Sequence, residues 1–518
     1  MFQEKNGYYV PSESLIEKAN VRQYEKLIQE TRDEPVKLWH EVAKELNWYT
    51  PWEKILNDQN PPFYKWFEGG KVNIFHNTVE RYNNTPRRNK LALIWEGENG
   101  EVRTYSYHAL YREVNKCANL LRNMEIKKGD RVTIFLPKIP EQILMMLACA
   151  KIGAVHHNAY IGLDAYTLRQ QILNAGSKCV VTSDGSFYNG VVVPIKKDVL
   201  DEALKLTPTV KSVVVVKRTG QDVPMEVGRD YWFHELINLP IISMKEDTAV
   251  MDAEDPLFIT YRPHILRRTG LTNGYLYSHG GYMVGSYFTT KLVWDLKDID
   301  LCWCTYDPAW ISGHVYTVYG PLLNGATIFF YEGTALYPYP DKWWSLIEKY
   351  EINTFATIAS SIKNVMRQGD AWVERHDLSS LRLLITADEP IDLETWNWYF
   401  KVVGKERCHI MDVWGQIETG GLLISTLPTM PLKPGSIGMA FPGIVAGIVN
   451  EEGKEAGVEE EGYLVIKKPW PYMLKTIYEN PEFYQNRYWS KIKGVYYTGD
   501  IAKKDKNGYI SVVKRITF

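Results

Sequence analysis

From Leu91 onward, short runs of β-branched and aromatic residues alternate with stretches of helical spacing, and that alternation limits the chain to an α/β architecture. Arg131–Leu136, Cys179–Thr182 and Ser212–Val216 are expected strands of the buried kind; Leu257–Thr260, Thr327–Tyr331, Thr354–Thr357 and Leu381–Ile385 continue the series. Between them lie helical segments such as Pro140–Ile152, expected to be amphipathic, and Asp341–Lys349. Strands joined in this way form parallel sheets, whose ligands bind beyond the carboxyl ends of the strands. The last part changes character. Gly462–Ile466 and a hairpin over Val495–Ile516, turning at Lys506-Asn507-Gly508, predict a small antiparallel β unit.

With 518 residues the chain is too long for one compact core. Residues 1–85 are rich in tryptophan, tyrosine and charge, with helical spacing in Ser12–Leu46 and a proline-marked loop at Asn60-Pro-Pro62. They read as a wrapping segment, followed by a large domain over 86–515 and a hinge remnant at 516–518. The net charge of −2 leaves no basic surplus for nucleic acid, so the Pro86–Lys90 cluster is expected to be solvated surface. The six cysteines form no CxxC pair, which favours core thiols of a reducing compartment over metal ligands. The longest apolar run, Ile143–Ala150, is broken by Lys151 and too short to span a membrane, and the N-terminus has no apolar signal region. A cytoplasmic protein without membrane or nucleic-acid partners is expected.

Chemistry concentrates in a few stretches. Asp412-Val-Trp-Gly-Gln-Ile-Glu-Thr-Gly-Gly421 sets Glu418 against a turn whose glycines let the backbone approach a ligand. Tyr497-Thr-Gly-Asp500 puts a carboxylate just past a glycine, at an expected strand end, where it could accept two hydrogen bonds from a sugar diol. Asp388-Glu389-Pro390 follows the strand that ends at Thr386, and Trp310-Ile-Ser-Gly-His314 is a further compact motif. On these residues the chain, over nearly its whole length, resembles the AMP-forming acyl-CoA synthetases of the adenylate-forming family. The resemblance implies an α/β large domain with two parallel-type sheets flanked by helices, plus the small antiparallel β subdomain. It also implies ATP, Mg²⁺ and coenzyme A, with a small carboxylic acid as substrate. Nucleotide contacts would come from Asp388, Glu389, Pro390, Asp412, Val413, Trp414, Gly415, Gln416, Ile417, Asp500 and Arg515. Glu418 would hold the metal, which needs such a hard carboxylate. Trp310, Ile311, Ser312, Ala387 and Gly415 would line the acyl pocket.

The chain also departs from the family pattern. Asp388 stands where the family has glycine, and Ile417 and Ser312 where it has threonine. Ala387 and Gly415 replace the valine and tryptophan of acetate-specific members. An indole covers on the order of 200 Å², and four extra methylenes would be worth about 3 kcal/mol, so an acyl chain longer than acetate is expected. The family's glycine-rich phosphate loop corresponds to Arg262–Gly274, where only Thr269, Gly270 and Gly274 align; Ile265 and Leu266 cannot cheaply form an amide nest, although Arg262, Arg267 and Arg268 could bring charge. The family's lysine-bearing C-terminal lid domain is expected to be absent, so no catalytic residue is identified and a separate chain or a homo-oligomer would complete the site. Two readings stay open: an acyl-CoA synthetase forming acyl-AMP and then acyl-CoA, impaired as the chain stands, or an inactive paralogue that binds a ligand or a partner.

Overall fold

The computed structural model describes residues 2–262 and 272–516. Two large sheets carry the main body. In the first, the spatial order is Asp230–Trp232, Ser212–Val216, Cys179–Ser183, Arg131–Phe135, Val155–Asn158, Pro256–Thr260, Tyr275–Ser278 and Thr476–Ile477. Pairing is parallel up to Pro256–Thr260 and antiparallel beyond it. In the second sheet, Leu91–Glu96, Thr327–Tyr331, Leu301–Cys304, Thr354–Ile358, Leu383–Ala387 and His409–Gln416 run parallel, with antiparallel strands at both edges. A third, wholly antiparallel sheet joins Ala446–Val449, Gly462–Ile466, Tyr496–Lys504 and Ile510–Arg515. It is tied to the edge of the second sheet where Ile510 N donates to Gly438 O at 2.8 Å and Ile437 N to Ile510 O at 3.0 Å.

Three sequence expectations need correction. The helix Pro140–Ile152 has no polar face: all its residues are buried, Glu141 and Lys151 included. It lies inside the body, where a near-continuous apolar run is what burial on all sides requires. Asp500 is not at a strand end but midway along Tyr496–Lys504. The strand expected over Leu381–Ile385 lies later in the chain, over Leu383–Ala387.

Residues near the amino terminus strap the body. Tyr9 and Leu432 exchange backbone hydrogen bonds at 2.9 Å each way, Trp39 Nε1 donates to Gly443 O at 3.3 Å, and Tyr8 Oη donates to Asp505 Oδ2 at 2.7 Å. All six cysteines are free and buried, and no helix among the described residues is long and apolar enough to cross a membrane.

A buried ion pair pins the two large sheets together. Arg218, just after the strand Ser212–Val216, donates from Nη2 and Nε to the two carboxylate oxygens of Glu332 at 2.5 and 2.9 Å. Glu332 follows Thr327–Tyr331 of the other sheet, and the two side chains are 5% and 1% exposed. Such a pair contributes little net stability over an apolar one, but removing one partner strands the other charge. Arg218→Met is expected to cost about 3–5 kcal/mol in urea unfolding, and adding Glu332→Leu should restore much of it. Equal losses in the single and double variants would contradict the assignment.

Candidate functional site

The carboxyl ends of Leu383–Ala387 and His409–Gln416 deliver the segments that the sequence singles out. After Gln416 the chain makes a single tight turn, Ile417–Thr419, closed where Gln416 N donates to Thr419 Oγ1 at 2.8 Å. Gly420, at φ 73°, then reverses into Gly421–Ser425, and a Cβ there would sit 1.8 Å from Tyr472 O. Only glycine fits that position. The segment 470–474 clamps the turn: Trp470 Nε1 donates to Thr419 O at 2.9 Å, Leu474 N to Glu418 O at 3.1 Å, and Tyr472 Oη to Leu422 O at 2.8 Å.

The turn places Glu418 in the interior, 2% exposed, with both carboxylate oxygens engaged. Tyr488 Oη donates to Oε1 at 2.6 Å, and Arg262 Nη2 donates to Oε2 in an ion pair. Burial works most strongly against the charge on Arg262, but the Glu418 carboxylate together with Tyr275, Tyr488 and Tyr496 outweighs it and holds the guanidinium pKa above its ordinary value. The donor set therefore does not fit a divalent cation as folded. An ion at Glu418 would have to displace a guanidinium of like charge, and no cluster of three or more metal-ligating side chains occurs among the described residues.

Asp500 closes the same side of the site. Its Oδ2 accepts from Trp414 Nε1 at 2.9 Å and from Gln416 Nε2 at 3.3 Å, and its Oδ1 faces Arg515 Nε at 3.3 Å. Gln416 is itself fixed, donating to Thr498 O at 2.8 Å and accepting from Tyr496 Oη at 2.9 Å. Burial raises the Asp500 carboxyl above the usual carboxylate range, with Arg515 and then the two side-chain donors opposing. Trp414, Gln416, Glu418, Asp500 and Arg515, separate in sequence, thus form one connected group with Arg262, Tyr488 and Tyr496. The motif reading missed the two tyrosines. The signal was the tyrosine-rich run just ahead of Thr498-Gly499-Asp500.

The acid side is tighter than the sequence suggests. Ile311, Ser312, Tyr316, Ala387, Val413 and Leu422 wall a cavity of about 20 Å³, room for roughly one water-sized group. Gly415 lines the cavity, as expected, but does not enlarge it: a Cβ there would lie 2.5 Å from Gly421 O and 3.1 Å from Leu422 Cα, where the neighbouring strand packs against the glycine. Tyr316 fills further space and accepts a hydrogen bond from Leu422 N at 3.0 Å. Trp310 is not part of this wall. It lines a larger cleft of about 870 Å³, together with Tyr160, Tyr188, Asp388 and Glu389.

Asp388 borders both spaces. Its φ of 68° is the left-handed conformation that a glycine would supply, and aspartate is among the residues that tolerate it. Ser312 Oγ donates to its Oδ1 at 2.6 Å, and although the residue is exposed by surface area, the surrounding cleft walls desolvate its carboxyl and raise its pKa. Glu389 has a structural partner, accepting from Ser360 N at 2.8 Å at the start of the helix Ala359–Met366. Pro390 is exposed, and Ile417 is half-buried. Gly274 has no positive φ and packs against Ile259, its carbonyl accepting from Tyr478 N at 2.7 Å, so it is no amide nest. Thr269 and Gly270 lie outside the described residues.

The AMP-binding enzyme family matches residues 79–478. The chain belongs to that family. Residues 24–78 match the acetyl-coenzyme A synthetase N-terminus. Similar curated proteins include acetyl-coenzyme A synthetases of Chlorobaculum tepidum, 42% identical over 499 residues, and of Deinococcus radiodurans, 43% over 498. Another is that of Pyrobaculum aerophilum, 44% identical over 505 residues. The matches cover 96%, 95% and 95% of this chain and 75% of each relative. These relatives carry the matched part within one longer chain, which gives no support to a second chain completing the site.

Asp412 stands apart within this group. It is 8% exposed and its side chain takes no hydrogen bond among the described residues, so burial alone pushes its carboxyl well above the usual range. An acid with a raised folded-state pKa favours folding fully only below its unfolded value near 3.9, and loses that contribution as pH rises through the folded pKa. Asp412→Asn should therefore melt higher than the wild type at pH 8, with the difference vanishing towards about pH 4. A difference independent of pH, or of opposite sign, would contradict this.

Proposed function

We propose that this chain is an acid-activating adenylate former of the acyl-CoA synthetase kind, acting on a short carboxylic acid. The observation that carries the reading is the cluster around Asp500: a buried carboxylate oriented by Trp414 and Gln416 and countered by Arg515. A carboxylate has about four acceptor positions, so one held in this way retains capacity for the hydroxyls of a ribose. The adenine would lie along Asp388–Pro390 and Asp412–Trp414, facing the large cleft. The acid would sit in the small cavity behind Ser312, its carboxylate pointing towards the nucleotide.

In the first half-reaction a carboxylate oxygen attacks the α-phosphorus of ATP. The bond to pyrophosphate breaks, and an acyl-adenylate forms. In the second, the thiol of coenzyme A, entering by the large cleft, attacks the acyl carbon and releases AMP. The chain's own part is to orient the ribose, to exclude water behind the clamp 470–474, and to limit the acyl group. A cavity of about 20 Å³ has room for a methyl group with its carboxylate lying outside, which supports an acid on the scale of acetate, in line with the names of the relatives. The expectation of a longer chain rested on Ser312, Ala387 and Gly415, and at Gly415 the strand backbone occupies the space.

One observation favours a second reading, an adenylate-binding protein without turnover. Arg262 already occupies the carboxylate that metal-assisted activation would use. Hydroxamate trapping with ATP and a series of acids separates the two readings. Acetate and propionate giving product well above hexanoate supports the proposal. Adenylate binding with no product from any acid supports the second reading, and a preference for hexanoate would overturn the short-acid assignment. Asp500→Asn should weaken AMP binding about tenfold or more, as expected for loss of an ionised acceptor.

A further inference from the structure

We propose that Arg262 is the resident counter-cation at the phosphate end of this site, so that its ligand is an adenylate of low charge, AMP or an acyl-adenylate, bound without a divalent metal. This rests on the adenylate reading above and narrows it to the ligand state the site is built to hold.

The geometry around Glu418 carries the argument. Its carboxylate is 2% exposed, with one oxygen taken by Tyr488 Oη at 2.6 Å and the other by Arg262 Nη2. Each oxygen already meets a donor, and one of those donors is a cation. A cation entering there would also have to break a buried ion pair and leave the guanidinium beside a like charge. Arg262, by contrast, has donors to spare. A guanidinium carries five N–H groups, and the bond to Glu418 is the only hydrogen bond of this one among the described residues. Its side chain is 33% exposed, so the charge reaches the open side of the site, and it lies over the Tyr275 ring at 5.8 Å. The carboxylate behind it fixes its orientation. A fixed, planar, partly exposed guanidinium is the group that best matches phosphate oxygens.

Charge balance sets how much phosphate the site accepts. Glu418 cancels Arg262, and Asp500 cancels Arg515. Among the described residues these two acids are each matched by one arginine, which favours a ligand of low charge. An acyl-adenylate brings one negative charge and AMP at most two, and the Arg262 donors that meet no described residue can serve these by hydrogen bonding.

The test is equilibrium titration of the whole chain with AMP and with a non-hydrolysable acylsulfamoyl adenosine, in excess EDTA and in millimolar Mg²⁺. The wild type is expected to bind both ligands equally well in either buffer. Arg262→Gln should weaken AMP in EDTA by about ten- to a hundredfold, the range of a charge-assisted hydrogen bond, and Mg²⁺ should recover part of the loss because Glu418 is freed. Arg262→Gln leaves a buried charge unpaired, so Arg262→Gln with Glu418→Gln serves as the folded control, verified by its melting curve. That double variant should lose the same affinity and not respond to Mg²⁺. Wild-type binding that strengthens with Mg²⁺, or AMP binding by Arg262→Gln equal to wild type, would overturn this inference and leave the adenylate reading standing. Failure of the folded wild type to bind either ligand in either buffer would overturn both.

Discussion

A carboxylate held in a dry interior needs a counter-charge, and Glu418 finds one in Arg262. Much of the site follows from meeting that need. The glutamate is inside because the turn Ile417–Gly420 is pressed against residues 470–474, and that approach is possible only because residue 420 has no side chain. The same clamp joins the end of the second sheet to the region leading into the third. Arg262 in turn follows directly from the first sheet's strand Pro256–Thr260 by way of Tyr261. The ion pair therefore brings together chain from both large sheets, with Tyr488 supplying the remaining donor. Asp500 repeats the arrangement on the neighbouring sheet, a buried acid facing an arginine.

The two halves of the site differ in character. The nucleotide side is polar and interconnected, with Gln416, Glu418 and Asp500 each meeting a donor and the Asp412 side chain meeting none among the described residues. The acid side is a small cavity sealed by strand backbone and Tyr316. An unpartnered buried carboxylate such as Asp412 lowers stability, and such groups persist where a ligand supplies what the protein does not. The structure thus keeps the family's scaffold while placing a guanidinium where the resemblance alone implies a metal.

Much of the fold was legible because buried parallel strands are written as local runs of Val, Ile and Phe. Ser212–Val216, Gly462–Ile466 and the turn at 506–508 lie where the pattern put them. The helix Pro140–Ile152 was misjudged, since its few polar residues suggested a solvent face that tertiary burial overrides. The motif residues Trp414, Gln416, Glu418 and Asp500 were identifiable by type and order. Their partners were not, because a hydrogen bond between Tyr496 and Gln416 spans 80 positions and no local pattern encodes it. Gly415 was misread for a related reason. A missing side chain looks like space in a sequence, whereas in a packed sheet the neighbouring strand moves in.

The central claim is that one connected group, running from Asp500 through Gln416 to Glu418 and Arg262, is an adenylate site. A crystal structure of the whole chain grown with AMP in the absence of divalent metal tests it most directly. The account predicts the ribose hydroxyls on Asp500, the base in the cleft beside Asp388, and the phosphate on the free edge of Arg262 with the Glu418 pair intact. AMP bound elsewhere, or bound here only after Arg262 has left Glu418 for a metal ion, would contradict it.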